Sequence, residues 1–189
     1  MFESIERKLF DSLMTDFIEI GLIDLSKFVE TRYVDHNFSE VSDKDTNIKY
    51  LMIKFSSIIN SFDKSNIIAF SQEVNIHFQL MHPAILKIIG YNMVNFNKSP
   101  YPIIITELPT NYTLGNALSL GRSGENYPLL SNIKKLIIIY GISAGMSFMH
   151  SNNIIHRDLK PNNIYLDDNF YPKISNFSLA KKFQKTTTK

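Results

Sequence analysis

The chain contains no cysteine in its 189 residues. That excludes a disulfide framework and thiolate metal centres, and it fits an intracellular setting. Neither sign of charge is in large excess. Twenty Lys and Arg face eighteen Asp and Glu, for a formal net charge of +2. Such a balance gives no ground for a nucleic-acid or strongly acidic partner. Long apolar runs are lacking too. The most apolar stretch, "LIIIY" from Leu136 to Tyr140, is far shorter than the roughly 20 residues that span a bilayer. The opening "MFESIERKLF" spreads acids and bases among its apolar residues and does not read as a secretory leader. Together these absences predict a cytoplasmic protein with no nucleic-acid or membrane partner. What the chain does have is core material. It is 44% hydrophobic and 12% aromatic, enough for one sizeable core or for a core and a small second lobe.

Periodicity divides the chain. Phe2, Ile5, Leu9, Phe10, Leu13, Met14, Phe17 and Ile18 recur at steps of three and four, the apolar face of an amphipathic helix. A helix packed on its own domain is the plainer reading, a partner-binding helix the sharper one. From Ser26 to Phe55 the pattern turns to β: "FVETRYV" and "KYLMIKF" flank the polar turn "SDKDTN". Helical spacing returns over residues 66–81 and stops before His82-Pro83. "ILKIIGYNMVNF" and "YPIIITEL" read as strands joined by "NKSP". After the polar "GRSGENYP", residues 131–151 form a long helix capped by Ser131, with Gly141 and Gly145 spaced for close packing. Strands, one helix, two strands, then helices predict an α+β architecture with a β-rich lobe first.

The stretch "HRDLKPNN" then carries chemistry. His156, Arg157, Asp158 and Asn163 fall in the spacing H-R-D-x-x-x-x-N, and the chain on these grounds resembles the eukaryotic protein kinase family, of Ser/Thr or tyrosine-kinase-like type. Lys160-Pro161 is similar to the Ser/Thr version of that loop. "LMIK" resembles the family's V-A-I-K strand and supplies Lys54. "SQEVNIHFQLMHPAILKIIGY" resembles its αC helix and the strand that follows, and supplies Glu73. "IIITELP" resembles the segment joining the lobes, with Thr106 as gatekeeper and Glu107, Leu108 and Pro109 as hinge. The resemblance covers residues 26–185. It implies a kinase-like N-lobe over 26–109 and part of a helical C-lobe over 110–182. Residues 1–25 would be an N-terminal extension, and 183–189 the start of a disordered activation segment.

The resemblance also implies roles. Phosphoryl transfer depends on positioning and charge neutralisation. Asp158 would orient the acceptor hydroxyl and take its proton. Lys160 would bring positive charge to the transferred group. Asn163 would offer an oxygen to Mg²⁺, and Asn176 would be the second metal position. Lys54 would hold the nucleotide phosphates, fixed by an ion pair to Glu73. Val41, Thr106, Glu107 and Leu108 would line the ATP site. ATP and Mg²⁺ are the implied cofactors, both weakly held. A protein substrate or a partner kinase is the implied macromolecular partner.

Four departures from the family pattern bear on these roles. Asn176-Phe177-Ser178 stands where the family has Asp-Phe-Gly, which removes a carboxylate that would face Mg²⁺. "VDHNFSEV" occupies the glycine-rich loop, so Val34, His36 and Ser39 replace its glycines. Met52 takes the alanine position of V-A-I-K and adds bulk. The sequence stops at "TTTK", before the helices that complete the family's C-lobe. The expectation is a protein kinase domain impaired in ATP-dependent transfer to Ser/Thr hydroxyls. The alternative is a pseudokinase-like interaction module without catalysis. Four Asn-x-Ser/Thr triplets, at Asn37, Asn97, Asn111 and Asn176, are read as chance occurrences.

Overall fold

A computed structural model describes residues 21–34, 37–55, 64–99, 101–109, 113–122 and 130–183. The expected helix of residues 2–18, His36 and the tail 184–189 lie outside the described residues. Two compact units divide the chain. The first is Met1–Phe78 with Ile88–Leu108, the second Gln79–Lys87 with Pro109–Lys189.

The first unit is built on a five-stranded antiparallel sheet: β1 (Phe28–Tyr33), β2 (Phe38–Asp43), β3 (Lys49–Lys54), β4 (Ile88–Asn92) and β5 (Ile103–Glu107), in the order β1-β2-β3-β5-β4. The β2–β3 turn is fastened by Asp43. Its Oδ1 accepts from Asp45 N at 3.0 Å, Thr46 N at 2.7 Å and Thr46 Oγ1 at 2.9 Å, the local bonding that favours Asp in turns. In the β4–β5 loop Asn95 does the same for Asn97 N and Ser99 N. Helix α1 (Lys64–Phe78) ends three residues before the pattern suggested. The chain then turns around Pro83, with Ile85 N donating to His82 O at 2.9 Å.

The period of two in a strand splits the sheet into two apolar faces. Phe70 and Val74 of α1 pack with Ile53, Ile104 and Tyr91 on one. Phe28, Val41, Met52, Ile103 and Ile105 form the other.

In the second unit, α2 (Leu114–Arg122) is capped by Thr113, whose Oγ1 accepts from Asn116 N at 3.2 Å. Helix α3 (Asn132–Ser151) is capped by Ser131 as expected, with Lys134 N donating to Ser131 Oγ at 3.3 Å. Four short strands follow: β6 (Ile154–Ile155), β7 (Ile164–Leu166), β8 (Pro172–Ile174) and β9 (Lys181–Lys182), paired β6 with β9 and β7 with β8. The two glycines of α3 permit the approach of β8. A Cβ at Gly141 would lie 2.5 Å from Pro172 Cγ, and one at Gly145 would lie 2.8 Å from Ile174 Cδ1.

Candidate active site

The loop from His156 to Asn163 is shaped by a closed circuit of hydrogen bonds. The amide of Asp158 donates to His156 Nδ1 at 3.2 Å. His156 Nδ1 is therefore an acceptor, and Nε2 carries the proton that it donates to Ser175 O at 2.9 Å. Ser175 Oγ donates to Asn163 O at 3.0 Å. Asn163 Nδ2 donates back to Asp158 O and Asp158 Oδ2, each at 2.8 Å. His156 is completely buried and its ring lies 5.4 Å from that of Phe177. Burial pushes its pKa down, against the opposing pull of the Ser175 carbonyl and Asp158, so the neutral tautomer is the resting form.

The Asp158 carboxylate bonds Lys160 Nζ at 2.9 Å. The Lys160 and Asn163 hydrogen bonds lower its pKa, outweighing a small contribution from burial. The group is therefore ionised at neutral pH, which suits holding and aiming a hydroxyl better than strong proton abstraction. Arg157 adopts φ 65°, unusual for a side chain without a local amide, and its Nε donates to Leu179 O at 2.5 Å. The loop is backed by α2. A Cβ at Gly115 would fall 1.8 Å from Asn162 Oδ1, so a larger residue there requires the Asn162 side chain to turn aside.

Asn176 joins this circuit. Its Nδ2 donates to Asn163 Oδ1 at 3.2 Å, and its Oδ1 accepts from Ser178 Oγ at 2.7 Å. The left-handed backbone of the tripeptide is at Asn176, φ 63°, which Asn tolerates well. Ser178 is not among the positive-φ residues. The glycine lost at 178 therefore costs no backbone strain here.

In the first unit the expected residues separate. Strand register places Val41, Met52 and Lys54 on one face, and Leu51, Ile53, Ile104 and Thr106 on the other. Helix α1, which bears Glu73, packs on the second face. The expected Lys54–Glu73 ion pair is therefore replaced. Lys54 Nζ bonds Glu30 Oε1 of β1 at 2.9 Å, because the alternation of β3 turns Lys54 away from α1. Val41 is fully buried in its own apolar cluster. Thr106 is also fully buried, with Oγ1 donating to Glu107 O at 3.0 Å. Glu107 ends β5, and Leu108 follows it at the end of the first unit.

With this geometry in place, the comparisons with known proteins can be read. The protein kinase domain family matches residues 38–189, more than half of the chain. The chain belongs to the protein kinase family. It is 35% identical over 116 residues to a Dictyostelium discoideum protein named as a probable serine/threonine-protein kinase, covering 60% of this chain and 8% of that protein. It is 34% identical over 111 residues to the probable serine/threonine-protein kinase PBL11 of Arabidopsis thaliana, covering 58% and 27%. It is 32% identical over 126 residues to the tyrosine-protein kinase receptor TYRO3 of Gallus gallus, covering 64% and 14%. The chain thus spans between 8% and 27% of the length of these relatives. No helix among the described residues is long and apolar enough to cross a membrane.

Kinases in general use ATP with Mg²⁺, and the oxygens available to a metal in this kinase domain can be tested for fit. Asn163 Oδ1 already accepts from Asn176, and Asn176 Oδ1 from Ser178. Both are neutral. No group of three or more His, Cys, Asp or Glu side chains able to hold a metal occurs among the described residues. Mg²⁺ is a hard cation that favours carboxylate and phosphate oxygens in octahedral array. Asn163 and Asn176 thus offer it two neutral oxygens and no charge to offset its own, a weaker pair than one that includes a carboxylate.

Two side chains that hold the expected residues, one in each unit, were not foreseen. Ser175, which links His156 to Asn163, carries no sequence signal beyond its place before Asn176. Glu30 shares a face with Lys54 only through a register shift in the β1–β2 pairing between Glu30 and Arg32, and such a shift cannot be read from alternation alone.

Proposed function

We propose that this chain is a kinase domain that positions a protein Ser or Thr hydroxyl for phosphoryl transfer from ATP, with turnover far below that of a fully equipped site. The observation that carries the reading is the Asp158 carboxylate, held between Lys160 at 2.9 Å and Asn163 at 2.8 Å. An ionised acceptor beside a cation is the pairing that transfer to a hydroxyl needs: one group aims the nucleophile, the other offsets charge on the phosphoryl oxygens. In this reading Lys54 takes the nucleotide phosphates, and Val41, Thr106, Glu107 and Leu108 line the base. Asn163 and Asn176 stand at the metal positions. A protein substrate is the partner.

The test is phosphate incorporation into a generic Ser/Thr protein substrate by the full chain, its Asp158→Ala variant and its Asn176→Asp variant. Low incorporation that Asp158→Ala removes and Asn176→Asp raises supports the reading. Incorporation equal to the Asp158→Ala background in all three contradicts it.

A second reading, a pseudokinase-like interaction module with a protein partner such as an active kinase, is favoured by one specific contact. The amide of Asn176 occupies Asn163 Oδ1, so the loop is self-satisfied without a cation. Under this reading Asp158→Ala leaves partner binding unchanged in a pull-down with a defined kinase. A loss of binding on that substitution contradicts it.

A further inference from the structure

Lys54 ends β3 and has two neighbours from β1. Glu30 Oε1 lies 2.9 Å from its Nζ, and the ring of Tyr33 lies 5.4 Å from it, centroid to nitrogen. Residues three apart on a strand ordinarily face opposite ways. Here Glu30 pairs with Val41 and Tyr33 with Ser39, after a register shift between Glu30 and Arg32. The extra residue turns both side chains to the face of Ser39, Val41, Met52 and Lys54. Glu30 is thus delivered to Lys54 by an irregularity of the edge strand.

An ammonium has three donors and no acceptor. One donor of Lys54 is taken by a carboxylate, and one side lies against an aromatic ring. A phosphate approaching this nitrogen would meet a charge already neutralised and a carboxylate of its own sign beside its destination. We propose that Glu30 is an internal counter-ion standing where a nucleotide phosphate would bind Lys54, so that phosphate engages this lysine only by displacing it. The inference rests on the reading of Lys54 as the phosphate ligand. Two further observations agree with it. Burial pushes the Glu30 carboxyl up, but the nearby Ser39 hydroxyl, which makes no hydrogen bond of ordinary geometry, and the 2.9 Å bond to Lys54 bring it below the ordinary glutamate value, so it is ionised at neutral pH. The side chains of Lys54 and Glu30 are 22% and 35% exposed, open enough for a solute to compete. The competing explanation is a plain clip that ties β1 to β3 across β2.

Calorimetric titration of the full chain separates the two. The titrants are ATP, tripolyphosphate and adenosine, without divalent cation. The proteins are the wild type, Glu30→Gln, Lys54→Gln and the double variant. Glu30→Gln is expected to bind ATP and tripolyphosphate about three- to tenfold more tightly and adenosine no differently. Lys54→Gln should cancel the gain. Glu30→Thr, a good strand former, should reproduce it. Melting curves of the unliganded variants establish that each is folded. Unchanged or weaker phosphate binding by Glu30→Gln and Glu30→Thr overturns the counter-ion proposal, and ATP binding by the wild type then leaves the nucleotide reading standing. Failure of every protein to bind ATP or tripolyphosphate overturns both.

Discussion

The two compact units hold their functional side chains by different physics. In the second, His156, Ser175, Asn163 and Asp158 are linked in a ring of hydrogen bonds, half of it backbone and much of it buried. In the first, Lys54 is held by one partly exposed ion pair at the end of β3. A buried, fully satisfied polar circuit is rigid and costly to break. An exposed ion pair is weak and exchangeable. Under the proposed reading, the rigid circuit is the part that aims a hydroxyl, and the exchangeable pair is the part that would receive phosphate.

The largest expected effects come from the cores that support each half. Phe70 is buried against the sheet of the first unit, and Met149 is fully buried on α3 of the second. Phe70→Ala should cost about 3–5 kcal/mol and Met149→Ala about 2–5 kcal/mol. Urea unfolding followed by hydrogen exchange should assign each loss to its own unit. If Phe70→Ala lowers protection around His156 as much as around Val74, the units are not energetically separate and the contrast fails.

Next in size is the backing of the loop. Gly115→Ala pushes the Asn162 side chain aside and should cost about 1 kcal/mol, the low end for overpacking. It should also lower any Asp158-dependent transfer, whereas Gly121→Ala, with nothing within 4 Å of its added carbon, should do neither. Melting and phosphate incorporation measured on the two variants check this.

A smaller effect is set by His156. Burial holds its folded pKa below the ordinary histidine value of about 6.5. The unfolded chain therefore binds a proton that the folded loop refuses as pH falls through about 6.5, and stability drops with acid over that window. The contribution is fully present above it. The Tm of His156→Gln, measured from pH 7.5 to 5.5, should depend less steeply on pH than the wild type's. Equal slopes would remove His156 from the circuit's energetics.

The smallest expected effect is on Glu30. Loss of a partly exposed ion pair should change stability by about 0–1 kcal/mol, so Glu30→Gln should leave the melting curve almost unmoved. A loss of several kcal/mol would make the contact a structural clip and erase the contrast between the units.

Much of this was legible in the sequence. The fold class and the strand segments around "FVETRYV", "KYLMIKF" and "YPIIITEL" follow from alternation. Ser131 announced its helix by cap chemistry. The family followed from fixed spacing around Asp158, since such spacing is a record of geometry. What could not be read was pairing in space. Nothing local tells which face of β3 meets α1, so the Lys54–Glu73 pair was expected where Lys54–Glu30 forms. The end of α1 was missed by three residues, since apolar spacing continues past the last helical turn. Asn176 was recognised as a lost carboxylate. That its amide would fill Asn163 Oδ1, and that Ser178 would bond to it rather than strain the backbone, depended on side-chain directions that only three dimensions supply.

Under the proposed reading, the Asn163–Asn176–Ser178 contacts weaken the hold of the described residues on a divalent cation. Mn²⁺ binding followed by electron paramagnetic resonance, in the full chain and in Asn176→Asp, tests it most directly. The account predicts that the wild type with ATP binds Mn²⁺ no more tightly than ATP alone does, and that Asn176→Asp gains affinity of about tenfold or more by adding a carboxylate and releasing Asn163 Oδ1. Tight Mn²⁺ binding by the wild type, unchanged in Asn176→Asp, would contradict it.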